Sequence, residues 1–587
     1  MNTQDDASFA HPLFMTSCFS RLTAMQFQLN PMCRAFALSL SLALTGAALA
    51  TEQVASTQGV ATNAAPVFGI AHMVLVGNPG VLSHTTKERL LSVLNMARGT
   101  QSDLRQIQVA VQQGQQLLDQ LFPGAYVLSI PAQTVVDGGP VAIQVSSILR
   151  DVKITGAPGF DEATVSASLP PMLQKGAIYS GQEWPTPQTL AMLNDHPLKS
   201  TAVQFRIEPD QPVTAEVTVN APLGDAQTTV ILDSFGNQAV GRGMMTATHS
   251  QGNVGVANDV LSFYGVTSLD KPFQVSLGSL RYVFPDVNAL SSHSLGVMHS
   301  ASNVDTPFLS LGNIAGKGSY SELNYRQTRY LNWGQSLGMN GSKFFADVAL
   351  AKSQANTQYL SNVLTDYAVT TLPVTLGVEG MANPQSNQPD LLKDVGALVR
   401  IQTVLNKAGA LGLSGLSDYA AARTGSGSST VLRWLVDARA TVMNQLRTNI
   451  QFTGQYTSDK LLPSGQMAIA GDRMAVRGFI NSVLMGDSAV VLRLELEPLA
   501  MSQGWENTTV QPYVFYDSGY KRGGNDERTL SVSSSGLGWR LSPKDMAGFT
   551  LDAFVAHKLH GAALDLVPGT TQQVDKTTFW STGTYRF

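Results

Sequence analysis

Residues 577–587 read Thr577-Thr578-Phe579-Trp580-Ser581-Thr582-Gly583-Thr584-Tyr585-Arg586-Phe587. Successive side chains of an extended strand point to opposite faces, so Phe579, Ser581, Gly583, Tyr585 and Phe587 share one face. Tyr585 and Phe587 then fall at one end of a closing strand, where the aromatic girdle of a membrane barrel lies. A soluble β-sandwich alternates in the same way, and this aromatic terminus distinguishes the two. From about Ala221 onward, helical periodicity gives way to alternating segments. Examples are Thr228-Thr229-Val230-Ile231-Leu232-Asp233, Val260-Leu261-Ser262-Phe263-Tyr264-Gly265 and the run from Phe273 to Tyr282. Breaks rich in Gly, Asn, Pro and Ser separate such segments, as at 383–389 and 424–430. Alternating segments of about 10 residues are the pattern of an outer-membrane barrel. At about 9 to 11 residues per tilted strand plus its turn and loop, residues 222–587 hold roughly 14 to 18 strands, with even numbers preferred.

Composition agrees with this reading. Of the 587 residues only 14% are charged, against roughly 25% in an average soluble protein. Lys+Arg 38 against Asp+Glu 42 gives a net charge of -4, so there is no basic excess to make nucleic acid a partner. A small net charge with β-branched and aromatic residues spread along the chain also excludes general disorder. Residues 35–50, AFALSLSLALTGAALA, follow Arg34 and end in Ala48-Leu49-Ala50. That small-x-small ending predicts a secretory signal cut after Ala50. A spanning helix needs about 20 apolar residues, and Ser, Thr and Gly interrupt this run. Translation from Met25 or Met32 would give the signal a tidier start. Cys18 and Cys33 both precede the cut, so the mature chain is expected to fold without disulfides. No later apolar run reaches spanning length, and a closed barrel is the remaining way to satisfy backbone polar groups in lipid.

Between the leader, 51–65, and the alternating region lie two α+β units. Ile70 to Leu75 reads as a strand, Thr86 to Ala97 as a helix, and a second helix carries Leu104, Ile107, Val111, Leu118 and Leu121 as one apolar stripe. This stripe is expected to hold the helix on its sheet. Tyr126 to Ile130 and Val141 to Val145 read as strands around the turn signal Asp137-Gly138-Gly139. The order β-α-α-β-β restarts at Val152-Lys153-Ile154, with helical material at 161–194 and strands near 201–207 and 213–219. Pro170, Pro171, Pro185 and Pro187 interrupt its helices. The expected boundaries are 1–50 signal, 51–65 leader, 66–147 first unit, 148–221 second unit and 222–587 barrel.

Several motifs in chain order resemble those of the two-partner secretion transporters, the TpsB or haemolysin secretion/activation family (ShlB/FhaC/HecB) of the BamA-type superfamily. Leu462-Pro463-Ser464-Gly465-Gln466, then Gly471-Asp472-Arg473-Met474-Ala475-Val476-Arg477-Gly478-Phe479, resembles its VRGF loop. Val514-Phe515-Tyr516-Asp517-Ser518-Gly519 resembles its F-x-D-x-G strand, and Leu232-Asp233-Ser234-Phe235-Gly236 its first barrel strand with Ser in place of Asn. Ile130-Pro131-Ala132-Gln133-Thr134 with Asp137-Gly138 is similar to the P-x-Q…DG segment of its first polypeptide-transport-associated (POTRA) domain. The resemblance implies a mainly β fold: a sixteen-stranded transmembrane antiparallel barrel preceded by two periplasmic α+β POTRA domains, with a lumenal loop near 460–485. It also implies a non-enzymatic pore without cofactor or metal, which exports a large partner exoprotein of hemolysin or adhesin type. Outer-membrane lipid and the barrel-assembly machinery that inserts the chain would be its other partners. Many members carry a plug helix before the first POTRA domain, and a fifteen-residue leader is too short for a long one. A barrel-assembly factor of BamA/TamA type shares these motifs but usually has more POTRA domains; a diffusion porin leaves the α+β units unexplained. In the implied site Val476, Arg477, Gly478 and Phe479 form the loop tip, Phe515, Asp517 and Gly519 its partner strand, and Arg477 pairs with Asp517. Fork-shaped guanidinium and carboxylate suit such a pair.

Other motifs point to no chemistry. Gly334-Gln335-Ser336-Leu337-Gly338 spells a nucleophile elbow, but no helix pattern follows it. Gly312 to Gly318, GNIAGKG, is one residue short of a phosphate loop and ends in Gly where Ser or Thr is needed; it reads as a hairpin loop. His557 and His560, three apart on a strand, point to opposite faces and cannot share a metal.

Overall fold

The computed structural model describes residues 68–587 apart from 103, 135, 180, 182–185, 235, 237–240, 273, 309–311, 332–338, 360–361, 383–391, 409–427, 461–475, 480–483, 485, 502, 506, 524–528 and 562–574. The signal with Ala48 and Ala50, the leader, the 334–338 motif and most of the loop near 460–485 lie outside the described residues.

The first unit runs β1 (Phe68–Gly77), α1 (His84–Leu94), β2 (Gly99–Ser102), α2 (Leu104–Leu121), β3 (Tyr126–Ser129) and β4 (Gly139–Ile148). Its sheet is ordered β2-β1-β4-β3, with β1 parallel to β4. The short edge strand β2, between the helices, escaped the sequence reading. In the expected stripe of α2, Ile107 and Leu118 are buried and Val111 is partly buried. Leu104, 51% exposed, and Leu121 are not. The helix is 18 residues long, about 27 Å, and its buried face is Ile107, Ala110, Gly114 and Leu118, between the exposed Leu104 and Leu121 at its two ends. A Cβ on Gly114 would lie 3.1 to 3.2 Å from Leu128, Leu90 and Leu94, so Gly allows the close approach. Gln133 pairs like a strand residue, donating Nε2 to the Ala142 carbonyl and accepting from the Ala142 amide, both at 2.8 Å. Asp137 accepts from the Gly69 amide at 2.6 Å.

The second unit runs β5 (Asp151–Thr155), α3 (Glu162–Ser168), β6 (Ile178–Tyr179), α4 (Pro187–Asn194), β7 (Ser200–Arg206) and β8 (Thr214–Asn220), with sheet order β5-β8-β7. Pro187 opens α4 behind the N-cap Thr186, where its missing N–H costs nothing. The two units are fused. β6 pairs with β4 of the first sheet, and Val213 and Ala215 lie in the first unit's core. Asp210, at φ 62, accepts from the Ser83 amide at 2.8 Å and the Thr86 hydroxyl at 3.0 Å at the start of α1.

The remaining strands close into an antiparallel barrel. Sixteen long strands form the wall among the described residues, and a three-residue strand, Gln503–Trp505, pairs alongside. Alternation is plain in Thr508–Arg522, where Tyr513, Phe515, Asp517 and Gly519 face inward and Val514, Tyr516 and Tyr520 face outward. The barrel closes where Thr577–Arg586 meets Ala226–Asp233 over five register pairs. Phe587 extends that seam: its main chain exchanges two hydrogen bonds with Thr228, and its ring is exposed on the outer face with Phe579 and Tyr585. Ser234, from the motif at the first strand, accepts from the Ser581 amide at 3.1 Å across the same seam. Residues 312–318 begin the strand Gly312–Leu331 and are not a hairpin loop; the segment is in register with the preceding strand throughout and with the following one from Ile314 on.

Candidate functional site

Val476-Arg477-Gly478-Phe479 forms a tight turn closed by the Phe479 amide donating to the Val476 carbonyl at 3.2 Å. Gly478 sits at φ 90, and a turn with positive φ at its third position calls for Gly. A Cβ there would also lie 2.8 Å from Ala556 on the wall. Val476 and Phe479 pack with Leu484, Val491 and Val532, and Lys558 lies over the Phe479 ring at 5.2 Å. Gly519 of the partner strand leaves space for Leu484 and Val476, which an added Cβ would strike. The turn is therefore anchored on both flanks by apolar contacts.

At its centre Arg477 donates Nε to Asp517 Oδ2 and Nη2 to Oδ1, each at 2.8 Å, while its own backbone amide donates to Oδ2 at 3.0 Å. Asp517 is 0% exposed and Arg477 3%. The third guanidinium corner, Nη1, donates to Glu495 at 2.9 Å, and the Ser534 hydroxyl donates to the Arg477 carbonyl at 2.6 Å. Phe515 lies beneath the guanidinium, 3.8 Å from ring centre to Cζ. Arg540 bonds to both Glu495 and Glu497, and Arg447 reaches Glu497 at 3.2 Å. Arg540 also reaches Asp552 at 3.5 Å, so three guanidiniums meet four carboxylates, with Arg477 and Asp517 the buried pair at the centre. Glycines in Leu530–Pro543 give the aromatic rings room: a Cβ on Gly536 or Gly538 would run into Phe515 or Tyr513 respectively.

The sequence pointed to Arg477 and Asp517 and the structure brings them together. Glu495, Glu497, Ser534 and Arg540 were missed. The signal for the acids was available: in Ser488–Pro498, Arg493, Glu495 and Glu497 alternate with Leu492, Leu494 and Leu496, so three charges line one inward face. His557 pairs with Thr577 at 2.9 Å, and no cluster of three or more metal-ligand side chains occurs among the described residues.

The chain thus combines a sixteen-stranded barrel, a turn pinned to its inner wall by a buried arginine, and two fused α+β units before it. Residues 405–541, which contain Arg477, Glu495, Asp517, Ser534 and Arg540, match the family of haemolysin secretion/activation proteins ShlB/FhaC/HecB. The fold is similar to that of CdiB from Escherichia coli, at 14% identity and TM-score 0.58, covering 95% of this chain and 99% of that one. CdiB from Acinetobacter baumannii is similar at 15% identity and TM-score 0.55, over 94% of this chain and 98% of that one. No curated protein sequence matches. The family match covers the segment that holds the turn's partners, and the solved structures share the barrel fold.

Proposed function

We propose that the chain carries one large, unfolded exoprotein of hemolysin or adhesin type from the periplasm through its barrel to the cell surface. The two α+β units act as periplasmic POTRA domains that receive the cargo by strand addition, since main-chain hydrogen bonds accept varied side chains. Edge strands β2, β3 and β7 offer places for it. Lipid surrounds the exposed outer face, and the cell's barrel-assembly machinery inserts the chain. Cargo folding outside supplies the driving force, and the chain works as a pore without enzymatic activity or cofactor. The observation that supports this most is the turn at Arg477, held to the inner wall at Asp517 within the segment that matches the secretion family. The two units between 68 and 220 also favour it over an assembly factor.

Co-expression with a large exoprotein encoded beside this chain tests the reading. Exoprotein in the medium only when the chain is present supports it; retention in the periplasm with normal barrel levels contradicts it. Removing residues 66–147 is a poor test of cargo reception, because it would strip β6 of its partner strand and expose Val213 and Ala215. Substitutions with Pro on the edge strand β2, which remove the donor a strand addition needs, are the cleaner perturbation.

A further inference from the structure

Helix α4 of the second unit is seated on the inner rim of the barrel mouth. Gln188 donates to the Tyr330 carbonyl at 2.5 Å. At the other end of the helix, Asp195 accepts from the Tyr330 hydroxyl at 2.7 Å and from Lys343 Nζ at 3.0 Å. Between them Ala191 approaches the wall so closely that a Cβ on Gly341 would stand 3.4 Å from its own. Lys343 also reaches Glu379 at 2.9 Å, and Glu379 is bonded by Arg400. Lys343, Glu379 and Arg400 are register partners on adjacent strands and line one lumenal rim.

This contact differs from the one at Arg477 in what happens when it breaks. Withdrawing Arg477 would leave Asp517, fully buried, without its guanidinium. Withdrawing α4 would leave Lys343 with Glu379, and Glu379 with Arg400. Asp195 itself, with a side chain 37% exposed, would pass to water. No charge is stranded on either side, and ion pairs of such exposure contribute little, whereas breaking a buried one is costly. The barrel wall keeps its own charges paired whether or not the helix is present. Tyr330 also lies in one apolar cluster with Met192 and Leu193 of α4, so withdrawal costs apolar burial but strands no charge, which suits a contact that opens under load and recloses.

We propose that α4 is a gate at the cargo-entry mouth, that Asp195 is the residue that holds it closed through Tyr330 and Lys343, and that cargo passage requires its withdrawal. The proposal rests on the pore reading above. Asp195 is a positioning residue in this scheme, since it acts through the placement of the helix.

Two variants of the full chain test it, read in planar lipid bilayers and by secretion. Asp195→Asn keeps the shape of the side chain and removes its charge; open events should become several-fold more frequent, with the heat-modifiable barrel unchanged. Ala191→Cys with Gly341→Cys places two Cβ atoms close to the roughly 3.5 to 4.5 Å of a disulfide, and the mature chain expected from Thr51 has no other Cys; Gly341 stands at φ 74, which a side chain strains, so Gly341→Ala is the control for barrel assembly. Oxidised, this pair should show few openings and lose secretion, and reductant should restore both. Three results overturn the gate: unchanged opening in Asp195→Asn, wild-type secretion by the oxidised pair, or wild-type protein that conducts identically to every variant. Wild-type protein with neither conductance nor secretion overturns the pore reading, and the gate with it.

Discussion

Replacing Arg477 by Lys keeps the charge and removes the fork. The native guanidinium spends two corners on Asp517 and one on Glu495, and an ammonium at the end of a flexible stem cannot serve both carboxylates in that planar geometry. Each charge-assisted bond lost costs about 1.5 to 3 kcal/mol. Arg477→Ala goes further and leaves Asp517 buried without a cation, at about 3 to 5 kcal/mol. At about 1.4 kcal/mol per factor of ten, that shifts the docked turn by between roughly a hundred- and a few-thousand-fold. Secretion should fall sharply in Arg477→Ala and recover poorly in Arg477→Lys, with barrel assembled in both. The assay is a double-mutant cycle with Asp517→Ala, scored by secretion and by protease protection of the turn. The turn should become cleavable in each single variant, and the double variant should be no worse than the worse single. Strictly additive losses, or a turn equally protected throughout, would refute a direct coupling.

Gly538→Val should push Tyr513 from the space the glycine leaves, at about 1 to 3 kcal/mol of overpacking, seen as a lower temperature for loss of the heat-modifiable band. His196 of the second unit is buried, and burial followed by the nearby Lys199 charge lowers its pKa to about 4; Asp195 and Asp259 oppose the shift. The unfolded imidazole, near 6.5, binds its proton first, so packing of this junction is fully stable above about pH 6.5 and weakens as pH falls toward 4. Limited proteolysis across that window should show increasing cleavage, and His196→Gln should flatten the profile. Phe587→Asp should reduce assembled barrel by placing a charge on the outer face at the seam; equal heat-modifiable protein in both forms would remove that role.

Alternation made the barrel legible, because period-2 burial is local; Phe515, Asp517 and Gly519 were picked out by the family resemblance, and their inward face is the one Tyr513 shares. Gly478 was named through the VRGF resemblance, and its positive φ gives that glycine its physical reason. The edge strand β2 and the fusion of the units through β6 were not legible. A four-residue strand and a two-residue strand carry no periodicity, and their existence depends on what they pair with. Asp210 in particular reads as an ordinary turn acid, and only the fold brings it to Ser83 and Thr86. The stripe on α2 failed at Leu104 and Leu121, the first and last residues of the helix, because angular position says nothing about burial along the axis. Glu495 and Arg540 join Arg477 from separate strands, so their partnership needed the register of the barrel.

The central claim is that cargo passes through the lumen. A photoreactive amino acid in place of Asn324, which faces inward and donates to Glu322 at 2.8 Å, can be compared with one in place of its neighbour Leu323, exposed on the outer face. In cells making an exoprotein whose export is halted by a tightly folded fusion, the account predicts a crosslink to exoprotein from position 324 and none from position 323. Equal crosslinking from both positions, or none from position 324 while cargo without the fusion still reaches the medium, would contradict it.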